Sequence, residues 1–134
     1  MDFEQHQDIE YYPAESMKKL PFSEAVRVGN RVGNMLYLSG QIGIDDAGNV
    51  VPGGIATETR QAMDNIRAIL ERHGSSLDQV IKVTVMLADM AEWTEMNKVY
   101  VSYFEKHLPA RSSFGTTGLA LGARMEIECI AVLG

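Results

Sequence analysis

Residues 57–89 read TETRQAMDNIRAILERHGSSLDQVIKVTVMLAD, and the hydrophobic period changes partway along them. Thr59, Ala62, Met63, Ile66, Ile69 and Leu70 recur three and four apart, which is the spacing of one apolar helix face. His73-Gly74 then offers a helix end, with the glycine available for a left-handed cap. From Val80 the residues are rich in β-branched types and alternate, so 80–89 reads as a strand. Ile81, Val83, Val85 and Leu87 form one of its faces, and Val80, Lys82, Thr84 and Met86 form the other.

Working outward, a second helix is predicted from about Glu92 to His107, with Trp93, Met96, Tyr100, Tyr103, Phe104 and Leu108 on one stripe and Pro109 as its stop. RSSFGTT and ARMEIECIAV follow as two strands separated by the small-residue loop GLALG. On the N-terminal side, FSEAVRV and MLYLSGQIG (35–43) read as strands joined at a Gly29-Asn30 turn, with the echo VRVGN/RVGN (26–34) as a lengthened hairpin. DDAGN (45–49) is a further turn, and VVPGG (50–54) a short extended piece. Residues 1–20 read as a loosely attached arm and 21–134 as a single domain. The order ββ(β)αβαββ makes a two-layer α+β fold, a mixed sheet of about six strands with two helices on one face.

In the last strand Met125, Ile127, Cys129 and Ala131 point one way, while Arg124, Glu126, Glu128, Ile130 and Val132 point the other. Two helices cover one sheet face only. The second face, half apolar and half charged, is expected to meet another subunit more than open water.

Composition narrows the function. The chain has 134 residues, 46% hydrophobic and 22% charged, as in a soluble globular domain. Its net charge of −6 and scattered Lys and Arg argue against nucleic acid as the main partner. No apolar run approaches a membrane span, no signal-peptide pattern opens the chain, and a lone Cys129 makes no intrachain disulfide. A cytoplasmic location is the expectation. Familiar machinery is missing too: the three histidines (His6, His73, His107) lack metal-ligand spacing, and no phosphate loop or nucleophile elbow occurs. Cys129 shares the parity of Met125 and Ile127 and reads as a buried small hydrophobe.

What remains is PARSSF (109–114) and MEIE (125–128). Arg111 opens a strand among the small residues Ala110, Ser112 and Ser113, and its planar donors suit a carboxylate held at both oxygens. Spacing alone equally allows a surface arginine or an ion pair with Glu126 or Glu128. Glu126 is placed one strand over if 111–117 pairs with 124–132, where a carboxylate can deprotonate water; a solvated strand position is the plain alternative. Ser39 and Gly40 end a strand, and Gly40 permits close approach to the backbone or marks a bulge.

Five stretches carry a resemblance: PFSEAVRVGN (21–30), MLYLSGQIG (35–43), GGIATETRQAMDNIRAILERHGSSLDQVIKVTVMLADM (53–90), NKVYVSYFEKHLPARSSF (97–114) and MEIECIAV (125–132). In this order and spacing the chain resembles the Rid family of reactive intermediate (enamine/imine) deaminases, also called YjgF-like proteins. The resemblance implies a chorismate-mutase-like fold, a homotrimer with active sites between subunits, and hydrolysis of 2-imino acids such as 2-iminopropanoate and 2-iminobutanoate to 2-keto acids and ammonia. It puts Arg111 on the substrate carboxylate, Glu126 on the attacking water, and Phe22, Ser39, Gly40 and Ser113 along the pocket. Asn97 matches the family's asparagine, with a structural role. No metal or cofactor is implied, because a protonated imine is already electrophilic and needs orientation and one base.

The sequence departs from the family in four places. Phe22 stands where tyrosine is common, the first hairpin is about four residues longer, GTTGLALGA replaces the usual stretch after the arginine, and the N-terminal arm is long. These departures leave room for a specialised deaminase acting on aminoacrylate or 2-aminomuconate, or for a non-catalytic ligand-binding trimer.

Overall fold

The computed structural model describes residues 8–13, 21–29 and 33–134. The remainder of the expected arm, His6 and the Asn30 side of the first turn lie outside the described residues. The elements are β1 (Asp8–Pro13), β2 (Ser23–Gly29), β3 (Asn34–Ile42), α1 (Ile55–Arg72), β4 (Val80–Leu87), α2 (Trp93–Val101), β5 (Ala110–Gly115) and β6 (Met125–Val132). They form a six-stranded sheet of order β1-β2-β3-β6-β4-β5, antiparallel except for the parallel β4–β5 pair. The two-layer α+β reading therefore describes the molecule.

α1 forms where the period indicates, and buries Ile55, Thr59, Ala62, Met63, Ile66, Ile69 and Leu70 against the sheet. Gly74 takes φ +87, and the Ser75 amide donates to Leu70 O at 2.8 Å, so the glycine closes the helix by the left-handed route. The core beneath it comes from alternate sheet residues: Leu36, Val83, Val85, Leu87, Met125, Ile127, Cys129 and Ala131. Cys129 is buried as expected, which pushes its thiol up to about 12, with nearby Glu128 adding to the effect.

Four local expectations are corrected. Residues 8–13, inside the stretch read as an arm, form the edge strand β1; Asp8 to Tyr12 pair with Gly29 to Ala25. The 50–54 piece is no strand, and only an isolated bridge joins Ile44 to Val50. α2 stops at Val101, six residues before His107, because the Ser102 hydroxyl donates to Val99 O at 2.5 Å and the next amides make tight three-residue turns. Pro109 is not its terminator, and Leu108 is exposed. Finally, the β4–β6 register slips between Val80 and Lys82, so Val80 turns into the core and Ile81 faces out.

The covered face of the sheet is dry, and the other is not. Tyr37, Ile81 and Phe114 stand exposed there, on the side to which Lys82, Glu126 and Glu128 also point. No helix is long and apolar enough to cross a membrane among the described residues.

Candidate functional site

Arg111 lies second in the edge strand β5, opposite Val83. Val83 is a core residue, so Arg111 leans toward the helices. There its guanidinium carbon stands 4.7 Å from the Tyr100 ring centroid and 5.9 Å from that of Trp93. Its side chain makes no hydrogen bond or ion pair among the described residues. Arg27, Arg67, Arg72 and Arg124 each hold a carboxylate. Neither expected partner, Glu126 or Glu128, reaches Arg111. A guanidinium near two aromatic rings, with no counter-charge among the described residues, can receive an external carboxylate.

Three polar atoms of β5 and α2, Ser113 Oγ, Tyr100 OH and Asn97 Oδ1, are buried without a hydrogen-bond partner among the described residues. Ser113 shares the face of Arg111 two residues on, and Tyr100 follows Asn97 by three positions on α2. Burial pushes the Tyr100 hydroxyl up to about 12, although Arg111 pulls the other way. It is thus a neutral donor at physiological pH. Trp93 and Tyr100 entered the sequence reading only as members of an apolar stripe. Their seven-residue spacing and their polar ring atoms were the available signal.

Glu126 sits elsewhere. β6 pairs with β3 and β4, and β4 separates it from β5, so Glu126 is two strands from Arg111 instead of one. Its neighbour on β4 is Met86, three positions beyond Val83, and its side chain points to the face away from the helices. Strand geometry puts the two residues roughly 10 Å apart across the strands and roughly 10 Å along them, on opposite faces. Burial raises the Glu126 carboxyl above its usual range, and Glu128 on the same face raises it further.

Ser39 and Gly40 flank Glu126. They fall where the β3–β6 register shifts between Leu38 and Gln41, so the bulge reading of Gly40 holds. A Cβ on Gly40 would collide with Glu126 Oε2 and come within 2.9 Å of its Cδ, so the missing side chain is the space the carboxylate occupies. The Ser39 hydroxyl donates to Ser23 O, which ties the bulge to β2 beside Phe22. Phe22 is exposed.

The start of β6 is fixed by a group that the sequence did not reveal. Glu58, buried on α1, accepts the Arg124 amide at 2.8 Å, and Arg124 Nη1 meets Glu92 Oε2 at 3.0 Å. Gly43 allows this, because a side chain there would strike the Glu58 backbone. Of the six predicted residues, Arg111 and Ser113 thus share one face of β5, Gly40 lies against Glu126, and Ser39 and Phe22 meet only at the Ser23 end of β2. A cavity of about 310 Å³ lined by Arg60, Arg67, Ser102, Tyr103 and Glu105 contains none of them. Among the described residues no group of three or more His, Cys, Asp or Glu side chains gathers to hold a metal ion.

Residues 14–133 match the family model described as Endoribonuclease L-PSP. The chain is 43% identical over 115 residues to the mouse 2-iminobutanoate/2-iminopropanoate deaminase, covering 85% of this chain and 82% of that one. It superposes on the crystal structure of yeast Mmf1 with TM-score 0.83 and 34% identity, over 95% of this chain and all of the other. The structure of Escherichia coli TdcF with bound serine gives TM-score 0.80 and 27% identity, over 93% and 100%.

Proposed function

This chain belongs to the Endoribonuclease L-PSP family, and from that premise we propose that it is an imine deaminase. Its substrates are 2-imino acids such as 2-iminopropanoate and 2-iminobutanoate, and its products are the 2-keto acid and ammonia. The observation that carries the reading is Arg111: a guanidinium with two aromatic contacts and no ion pair among the described residues. It sits in a chain 43% identical to a deaminase of those two imines.

Arg111 grips the substrate carboxylate, and the C=N carbon then faces a water held by Glu126. As the oxygen–carbon bond forms, Glu126 takes a proton from the water and then delivers it to nitrogen. The C–N bond breaks, ammonia leaves, and the hydroxyl gives its remaining proton back to Glu126 as the carbonyl closes, from where it passes to the departing ammonia. The raised pKa of Glu126 brings its basicity closer to that of a working base.

Arg111 and Glu126 cannot meet within one copy, because the sheet lies between them. We therefore assign the working site to a homotrimer, with the β5–α2 edge of one copy against the bulged β3–β6 face of the next. Tyr37, Ile81 and Phe114 on the open face supply apolar surface for that contact. Phe22, Ser39 and Gly40 would then line the pocket from the Glu126 side and Ser113 from the other. No metal or cofactor enters these steps, and the net charge of −6 favours a small-molecule substrate over nucleic acid. A cytoplasmic setting fits a single buried thiol.

The test is imine hydrolysis with a serine or threonine dehydratase generating substrate in place, followed by keto-acid release against semicarbazide trapping. A rate that rises with native protein and vanishes with Arg111→Ala supports the reading. A trimer without effect on the rate would move it to the non-catalytic alternative.

A further inference from the structure

We propose that Trp93 and Tyr100 are positioning residues for Arg111, an aromatic clamp that holds the guanidinium plane for one incoming carboxylate. The inference rests on the deaminase reading for the substrate's class, yet it concerns binding and stands apart from turnover. Tyr100 is 2% exposed and Trp93 41% exposed, so one ring forms the floor and the other the rim. Their distances to the guanidinium carbon, 4.7 and 5.9 Å, lie within the range of cation–π attraction.

The clamp solves a specific physical problem. A partly buried guanidinium needs compensation, and Arg72 and Arg124 take it from carboxylates. A protein carboxylate at Arg111 would occupy the donors that the substrate requires. Aromatic faces stabilise the charge without using any N–H, so the donors stay open. A long flexible side chain is also fixed before binding, which lowers the ordering cost when the ligand arrives. On this account the Tyr100 ring matters, and its unpartnered hydroxyl does not.

The experiment is calorimetric titration of the trimeric protein with 2-oxobutanoate, and with 2-oxobutanamide as a probe lacking the carboxylate. Trp93 is the chain's sole tryptophan, so its fluorescence reports binding beside Arg111 in the native protein and the Tyr100 variants, while Trp93→Leu is read by calorimetry alone. Tyr100→Phe should bind the acid like the native protein. Tyr100→Leu and Trp93→Leu should each bind it about tenfold more weakly. Weak affinity for the amide should stay unchanged in all three, whereas a loosened pocket would weaken both probes alike. Equal losses in Tyr100→Phe and Tyr100→Leu would assign the effect to the hydroxyl and overturn the clamp. So would native-like acid binding by both leucine variants, or native protein that binds no acid. Native protein that binds the acid but hydrolyses no imine would overturn the deaminase reading and leave the clamp standing.

Discussion

The β5–α2 edge and the β3–β6 bulge carry the two charged groups of the candidate site, and they are built on different principles. At the edge, Arg111 lies against aromatic surface, and buried Ser113, Tyr100 and Asn97 atoms lack partners among the described residues. At the bulge, Glu126 is held by the shape of the backbone, a register shift and a glycine, and burial, with Glu128 second, raises its pKa. The first region is poised to receive a negative charge, and the second to accept a proton. On the proposed function each would be half of a hydrolytic site, and the sheet lies between the two groups in one chain.

Changes to either half should separate chemistry from binding. Glu126→Gln is expected to lower kcat by about 10²–10⁴, the range for losing a general base, with KM little changed. Its pKa is raised in the folded state, so the carboxylate favours folding at pH below its unfolded value, and that contribution is lost as pH rises through the folded value. The glutamine variant should therefore unfold at a higher temperature than native protein at neutral pH and lose that advantage in acid. Arg111→Ala should cost about 10²–10³ in kcat/KM, from two charge-assisted hydrogen bonds, with the unfolding midpoint little changed because no ion pair is broken. A large loss of stability in that variant would show the arginine to be structural.

Gly40→Ala tests the bulge more gently. The new methyl claims the place of the Glu126 carboxylate, and a displacement of about 1 Å can cost up to about 10² in rate. Kinetics and thermal melting of the same sample should show a fall in kcat with the fold retained. The smallest effect belongs to Glu128→Gln. It removes the second cause of the raised Glu126 pKa and leaves the larger one, burial. Since the base must be ionised, activity falls as pH drops through the Glu126 pKa. The variant's acid limb should move to lower pH, but only in part. An unmoved limb would mean that another group sets it.

Much of this was legible in the sequence wherever periodicity or a turn residue reports on local energetics. The α1 face, the Gly74 cap, the alternation of β6 and the burial of Cys129 follow from period and side-chain size. Strand pairing did not follow. β6 lies between β3 and β4 although β5 precedes it in the chain, so Glu126 was placed one strand too near Arg111. The slip at Val80–Lys82 also escaped, because a bulge reverses facing without changing composition. Trp93 and Tyr100 showed the right spacing and gave no sign that their rings would meet a cation. The short α2 turned on one hydroxyl, Ser102, competing for a helical carbonyl. β1 was hidden in a polar stretch whose pairing partners run from Ser23 to Gly29, across the intervening residues of the arm.

The claim that two copies share each site is tested by mixing two inactive variants. Arg111→Ala and Glu126→Gln chains, each inactive alone, would be unfolded together in equal amounts, refolded, and assayed for imine hydrolysis. If one copy supplies the arginine and another the glutamate, random assembly gives both native groups to about a quarter of the sites, and about a quarter of native activity returns. If both groups act within the same copy, no mixture contains an intact site, and activity that stays at the level of the single variants would contradict the shared-site structure.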